Sequence, residues 1–193
     1  MNIIHKVPEI FVPALDHYQD ILSGKLGLHN MVNCKHYRKD DLIYQEEGEN
    51  TFMTEGIARI LNIIFFTTAK AASSIVYCGL FKNDITPVVG DTAAKLGSGN
   101  AFGECQDSDY TPATNKPVYT VVSTATAGCT NAAAAASFTM AAAINVYGTL
   151  LSFGMAKTDT TGPLICAKRF ATTRATQIAD VLAITYAISV TTS

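Results

Sequence analysis

The chain has no tryptophan, and only 16% of its 193 residues are charged. Globular domains usually approach about 25%, so the shortage predicts that another subunit covers part of the surface. Net charge is −2, without the basic stripe that nucleic-acid binding requires. Nucleic acid is therefore not an expected partner. Long apolar runs are missing too. The greasiest stretch, 57–66, contains Arg59 and Asn62 and falls far short of the roughly 20 residues that span a bilayer, so no membrane is expected. Pro8, Glu9 and Pro13 interrupt any apolar core of a secretory signal. The five cysteines (Cys34, Cys78, Cys105, Cys129, Cys166) are odd in number and have no close pair, unlike a disulfide framework. Free thiols and assembly in a cytoplasm are the expectation.

Motifs that carry chemistry are equally scarce. His5, His17, His29 and His36 are the only histidines. Of these, His29 and His36 flank Cys34, but a structural zinc site wants a fourth ligand and paired spacing, so no metal is assigned. The stretch Gly97–Gly103 lacks both the G-x-G-x-x-G spacing and the Gly-Lys-Ser/Thr ending of phosphate cradles, and reads as a flexible turn. A G-x-S-x-G elbow is absent. Glu104, Asp107 and Asp109 cluster in a predicted loop, where carboxylates are usually solvated or hold a calcium ion. Lys168, Arg169 and Arg174 form a small basic group expected at a rim or a subunit contact. No catalytic residue and no cofactor are assigned, and the chain is expected not to be an enzyme.

What is present is strand pattern. SIVYCGLFKND (Ser74 to Asp84) and NVYGTLLSFGMAKTD (Asn145 to Asp159) each carry Val-Tyr and a glycine inside an apolar run. Ile75, Tyr77, Gly79 and Phe81 fall on one face and Val76, Cys78 and Leu80 on the other. Both faces are apolar, as in a strand buried between two layers. Near the far end Leu182, Ile184, Tyr186, Ile188 and Val190 alternate with small or weakly polar residues, defining a half-buried strand. Val118 to Thr124 suits another strand. The glycine- and proline-rich stretch from Lys82 to Lys116 reads as a long excursion. NAAAAASFTMAAA (131–143) has helical composition, yet Phe138 and Met140 keep period two. These elements predict a mainly β protein, an antiparallel β-sandwich of jelly-roll or immunoglobulin-like type with one or two short helices.

The first part differs in character. Residues 1–55 hold nine acids and five bases, whereas 56–193 hold seven acids and nine bases, which marks a boundary near Asn50. Residues 1–52 read as an N-terminal arm: an extended opening, a short helix from Pro13 to Gly24, then mostly loop over Lys25 to Asn50 with a short strand at Asp41 to Gln45. Residues 53–193 form the sandwich. Their helix starts at Thr54, places Ile57, Ile60, Leu61, Ile64 and Phe65 on one face, and ends around Thr67. Removing residues 1–50 is expected to leave the sandwich folded.

The run of a helix, Val76–Phe81, Thr130–Met140, Ser152–Met155, Gly162–Cys166 and an alternating final strand resembles a group of small virion proteins of tailed bacteriophages. The resemblance covers about 53–193, on short apolar motifs, and departs from the group in having no tryptophan. It implies a strand rather than a helix at the alanine-rich segment, and a capsid decoration or cement protein located in the virion. The expected partners are the major capsid protein and other copies of the chain, as a trimer on a local threefold axis. Expected contacts are Ile10, Phe11, Tyr18, Tyr37, Arg38 and Tyr44. Rival readings are a neck, tail or head-fibre component, and a carbohydrate-binding sandwich using Tyr110 and Tyr119 as a sugar platform.

Overall fold

The computed structural model describes residues 26–65, 75–112, 114–123 and 128–192. The extended opening, the predicted Pro13 helix and the candidate contacts Ile10, Phe11 and Tyr18 lie outside them. These residues are mainly β, with antiparallel sheets and one α-helix among them. Its elements are β1 (Leu26–Arg38), β2 (Asp41–Glu49), β3 (Thr51–Phe52), α1 (Thr54–Phe65), β4 (Tyr77–Phe81), β5 (Tyr110–Thr111), β6 (Val122–Ser123), β7 (Gly128–Thr130), β8 (Ala136–Met140), β9 (Asn145–Ser152), β10 (Leu164–Ala175) and β11 (Val181–Thr192). The larger sheet runs β2-β1-β11, with β7 and β8 sharing the far side of β11; β6 then follows β7, and β5 follows β8. The smaller sheet runs β3-β10-β9-β4.

The two Val-Tyr strands are neighbours: β4 pairs antiparallel with β9, Gly79 opposite Leu150 and Phe81 opposite Gly148. Their two apolar faces have two different coverings. Cys78, Leu80, Leu151 and Cys166 meet Val32, Cys34, Phe138 and Tyr186 of the larger sheet in one cluster. Phe81, Leu150, Leu164 and Ala167 meet Met53, Ala93, Leu96 and Phe102 in a second. The Lys82–Lys116 excursion therefore forms an outer layer over the smaller sheet. It also closes the open edge of β4, because Cys78 N donates to Pro117 O at 2.8 Å and Cys105 N to Leu80 O at 2.9 Å. That backbone satisfaction is what an edge strand needs to avoid stray pairing. At Gly148 the packing admits no side chain: a Cβ would lie 2.2 Å from Lys168 O and from Phe81 Cζ.

The alanine-rich segment is strand, not helix. Ala136, Phe138 and Met140 point into the core while Ser137 and Thr139 face out, and Phe138 meets the Tyr110 ring edge-on at 4.9 Å. Asn131 accounts for the break before it. Its Nδ2 donates to Ile184 O at 3.1 Å and its Oδ1 accepts from Tyr186 N at 2.7 Å. This buried amide stands in for a strand residue where β7 stops and β8 has not begun, and Ala132–Ala135 loop outward, exposed. A helix here would leave that length of β11 unpaired, at a cost local propensity cannot offset.

The region 25–50 contains the expected strand at Asp41 to Gln45, inside β2, but overturns the expectation of mostly loop around it. β1 pairs with β11 at twelve positions, from Leu26↔Thr192 to Tyr37↔Val181, and β2 pairs back along β1. The composition change near Asn50 falls at the short connection between β2 and β3, not at a gap in sheet pairing. Removal of residues 26–50 would strip β11 of its longest partner, so the expected dispensability of 1–50 does not hold. Two features hid the hairpin. Among the inward residues Asn30, Val32, Cys34 and His36, only two are apolar. The turn also carries no glycine, although Lys39 (φ 50°) and Asp40 (φ 69°) both sit in left-handed backbone. Such a two-residue turn favours Asn-Gly. The double substitution Lys39→Asn with Asp40→Gly should stabilise the protein by about 1 kcal/mol and raise Tm by about 2–4 °C in a thermal melt; a fall in Tm would reject the turn assignment.

Candidate functional site

Tyr37, Arg38 and Tyr44 all lie on the β1–β2 hairpin, but two of them work inward. Arg38 reaches the start of β11, where Nη2 lies 2.8 Å and Nε 3.0 Å from the two Asp180 oxygens. His36 Nε2 is 2.9 Å from the same carboxylate, and Gln177 N donates to it at 2.8 Å. The Arg38 bond above all, then Gln177 and His36, holds the Asp180 carboxyl below the usual carboxylate range against the opposing effect of burial. The Tyr44 ring carries the Arg174 guanidinium 3.2 Å from its centroid, and its hydroxyl donates to Glu46. Glu46 in turn accepts Ala171 N at 3.1 Å, tying β2 to the bulged middle of β10. Tyr37 is half-buried on the opposite face of β1.

The hairpin carries a further feature that the sequence reading missed. Among the described residues no strand pairs with the outer side of β2. Leu42 and Ile43 stand 49% and 48% exposed beside the turn, with Asp41, Glu47 and Glu49 exposed along the same nine-residue strand. An unpaired edge of that length is a template for another chain. The strand itself was expected at Asp41 to Gln45 and runs on to Glu49; what the sequence did not show is that it forms the edge of the sheet.

β1 places His29 on the face opposite Cys34 and His36, so these three cannot share a metal. Among the described residues no group of three His, Cys, Asp or Glu side chains is placed to hold one. Burial pushes the Cys34 and Cys78 thiols up to about 12, which keeps them protonated and poor nucleophiles.

The acidic loop corrects a second expectation. Of its three carboxylates only Asp107 is exposed. Asp109 is buried, 2.8 Å from Lys82 Nζ, and accepts Gln106 N at 2.6 Å. Glu104 and Lys116 are both fully buried, 3.0 Å apart. Nearby, Lys157 Nζ donates to Tyr110 O at 2.8 Å and Gln106 O at 3.2 Å and sits 3.5 Å above the Tyr110 ring. Burial lowers its pKa, but its donors are committed to holding the loop. Ser98, Gln106, Asp107, Ser108, Lys157 and Thr158 line a polar cleft of about 330 Å³ at this point. The Gly97–Gly103 segment is a bonded turn: Asn100 Nδ2 donates to Ala94 O at 2.6 Å, and Phe102 is buried in the outer layer.

Tyr110 and Tyr119 are core residues, 0% and 5% exposed, which removes the proposed sugar platform. The basic group is also spoken for: Lys168 Nζ donates to Glu49 O at 3.2 Å, Arg169 Nε to Asp84 at 2.7 Å, and Arg174 lies on Tyr44. No protein-family model matches the chain, and neither a curated protein nor a solved structure matches it.

The Asp180 network has a measurable signature. A carboxyl held low contributes stability that is complete above the unfolded-state pKa of about 3.9 and is lost as pH falls below it. Asp180→Asn should cost about 2 kcal/mol at neutral pH and flatten the acid limb of the stability curve, read by urea melts between pH 7 and pH 3. An unchanged acid limb would show that the site does not anchor the hairpin.

Proposed function

We propose that the chain is a non-enzymatic virion protein that decorates or cements a tailed-bacteriophage head, bridging major capsid subunits. The observation that carries this reading is the open β2 edge with its exposed Leu42 and Ile43, on a body whose buried charges are spent on internal pairs. An assembly protein acts by adding buried interface across subunit boundaries, and an edge strand gives backbone bonds for affinity with side chains for selectivity. In this reading the sheets form a sandwich of immunoglobulin or jelly-roll type. Residues 1–52 supply the contacts: Ile10, Phe11 and Tyr18 from the arm, and Tyr37 with the rims of Arg38 and Tyr44 from the hairpin. The resemblance of 53–193 to phage virion proteins supports the same assignment, with copies of the chain meeting as a trimer.

Purified protein incubated with expanded capsids should co-sediment with them in hundreds of copies per particle. A dozen or fewer would replace the reading with a neck or fibre role. Binding to a glycan array without binding to capsids would replace it with a carbohydrate-binding one. Glu47→Lys with Glu49→Lys should weaken capsid binding by about tenfold, some 1.4 kcal/mol, at unchanged Tm; unaltered binding would remove β2 from the interface.

A further inference from the structure

The fully buried pair Glu104 and Lys116 is poorly satisfied as an ion pair. Lys116 Nζ lies 3.0 Å from Glu104 Oε1, yet neither atom is aligned for a hydrogen bond and neither has another partner. Buried charges repay their desolvation only with excellent geometry and further hydrogen bonds, and an ammonium has three donors to place. Glu104 Oε2, by contrast, is well held: Thr158 N donates to it at 2.8 Å.

The backbone brings the two residues together on purpose-shaped ground. Glu104 bridges to Phe81 at one end of β4, and Pro117, next to Lys116, accepts Cys78 N near the other end. Both side chains then cross Gly79. A Cβ there would lie 2.9 Å from Glu104 Oε1 and 3.1 Å from Lys116 Cδ, so the glycine leaves the room in which the pair meets.

We propose that Lys116 and Glu104 condense into an intramolecular isopeptide bond. A proton first passes from the ammonium to the carboxylate, giving the neutral amine and neutral acid that an apolar interior favours; burial raises the Glu104 pKa in the same sense. Nζ then attacks Cδ, forming the Nζ–Cδ bond. The Cδ–Oε1 bond breaks, and Oε1 leaves as water with the carboxyl proton and one amine proton. Oε2 carries the transient negative charge toward the Thr158 N–H and remains as the amide oxygen. The product holds no buried charge. Intramolecular placement supplies the driving proximity, since well-oriented groups reach effective molarities of about 10⁵–10⁸ M. The bond closes residues 104–116 into a ring, a covalent clasp on the layer that covers the edge of β4.

The full-length chain, purified and denatured, should have an intact mass below its sequence mass by one water, about 18 Da. Lys116→Met, which keeps the side-chain length but removes the nucleophile, should show its full sequence mass. Fragmentation of the wild-type peptide spanning 96–157 should yield no backbone fragments from within 104–116. A folded wild-type protein that keeps its full mass after days at 37 °C would overturn the proposal, leaving a plain ion pair. A water loss mapped to an aspartate elsewhere would overturn it equally. Far-ultraviolet circular dichroism of Lys116→Met verifies that the comparison is between folded proteins; if that variant is unfolded, Glu104→Gln serves instead, which has no carboxyl to condense and should lose no water. A loss of about 18 Da that persists there would place the bond elsewhere and overturn the proposal.

Discussion

The pairing of β11 on both its sides is the constraint on which the rest depends. One side meets β1 along twelve positions; the other meets β8 and then β7, with the Asn131 side chain filling the interval between them. Asp180, just before the strand, gathers His36 and Arg38 from β1. The inward face, Leu182, Ile184 and Tyr186, is part of the floor on which the smaller sheet lies. Tyr186 reaches across that interface, its hydroxyl donating to Thr149 Oγ1 at 3.0 Å, and Thr149 passes the chain of bonds on to Gly79 O at 2.9 Å. Few buried polar groups are left without such partners, as the cost of burial demands.

The smaller sheet has the opposite problem, two apolar faces and one larger sheet to cover them. The excursion between β4 and β5 solves it by becoming a layer. It contributes Leu96 and Phe102 to one cluster and Cys105 to the other, and Glu104 and Asp109 are turned inward onto partners. Glu104 and Asp109, which look like chemistry in the linear chain, are thus pins of a cover, with Lys116 and Lys157 beside them.

How much of this was readable from residues alone follows from what the residues report. Both-faced burial of β4 and β9 and the alternation of β11 were readable because apolar spacing records burial directly. The alanine-rich strand was readable only through its period, since alanine's propensity points the other way and Asn131 overrides it from a distance. Of the hairpin only the strand from Asp41 to Gln45 was readable; β1 was not. Asn30 Nδ2 and His36 Nε2 find their partners 136 and 144 residues away, on Cys166 and Asp180, and no local pattern encodes such pairings. Tyr110 and Tyr119 failed for a related reason: an aromatic with a hydroxyl is equally at home in a wet cleft or a core, and only packing against Phe138 and Tyr186 decides.

The β1–β11 register has a consequence in time. Leu26 faces Thr192, so the first strand of the larger sheet must wait during synthesis for nearly the whole described chain before its longest partner exists. Long-range β pairing of this kind is slow and leaves strand edges open to neighbours. Asp41, Glu46, Glu47 and Glu49, set along the hairpin that waits, make identical nascent chains repel one another in the interval. The acidity that sets the early part of this chain apart thus falls on the hairpin that waits longest, where like charges oppose edge-to-edge pairing of identical strands.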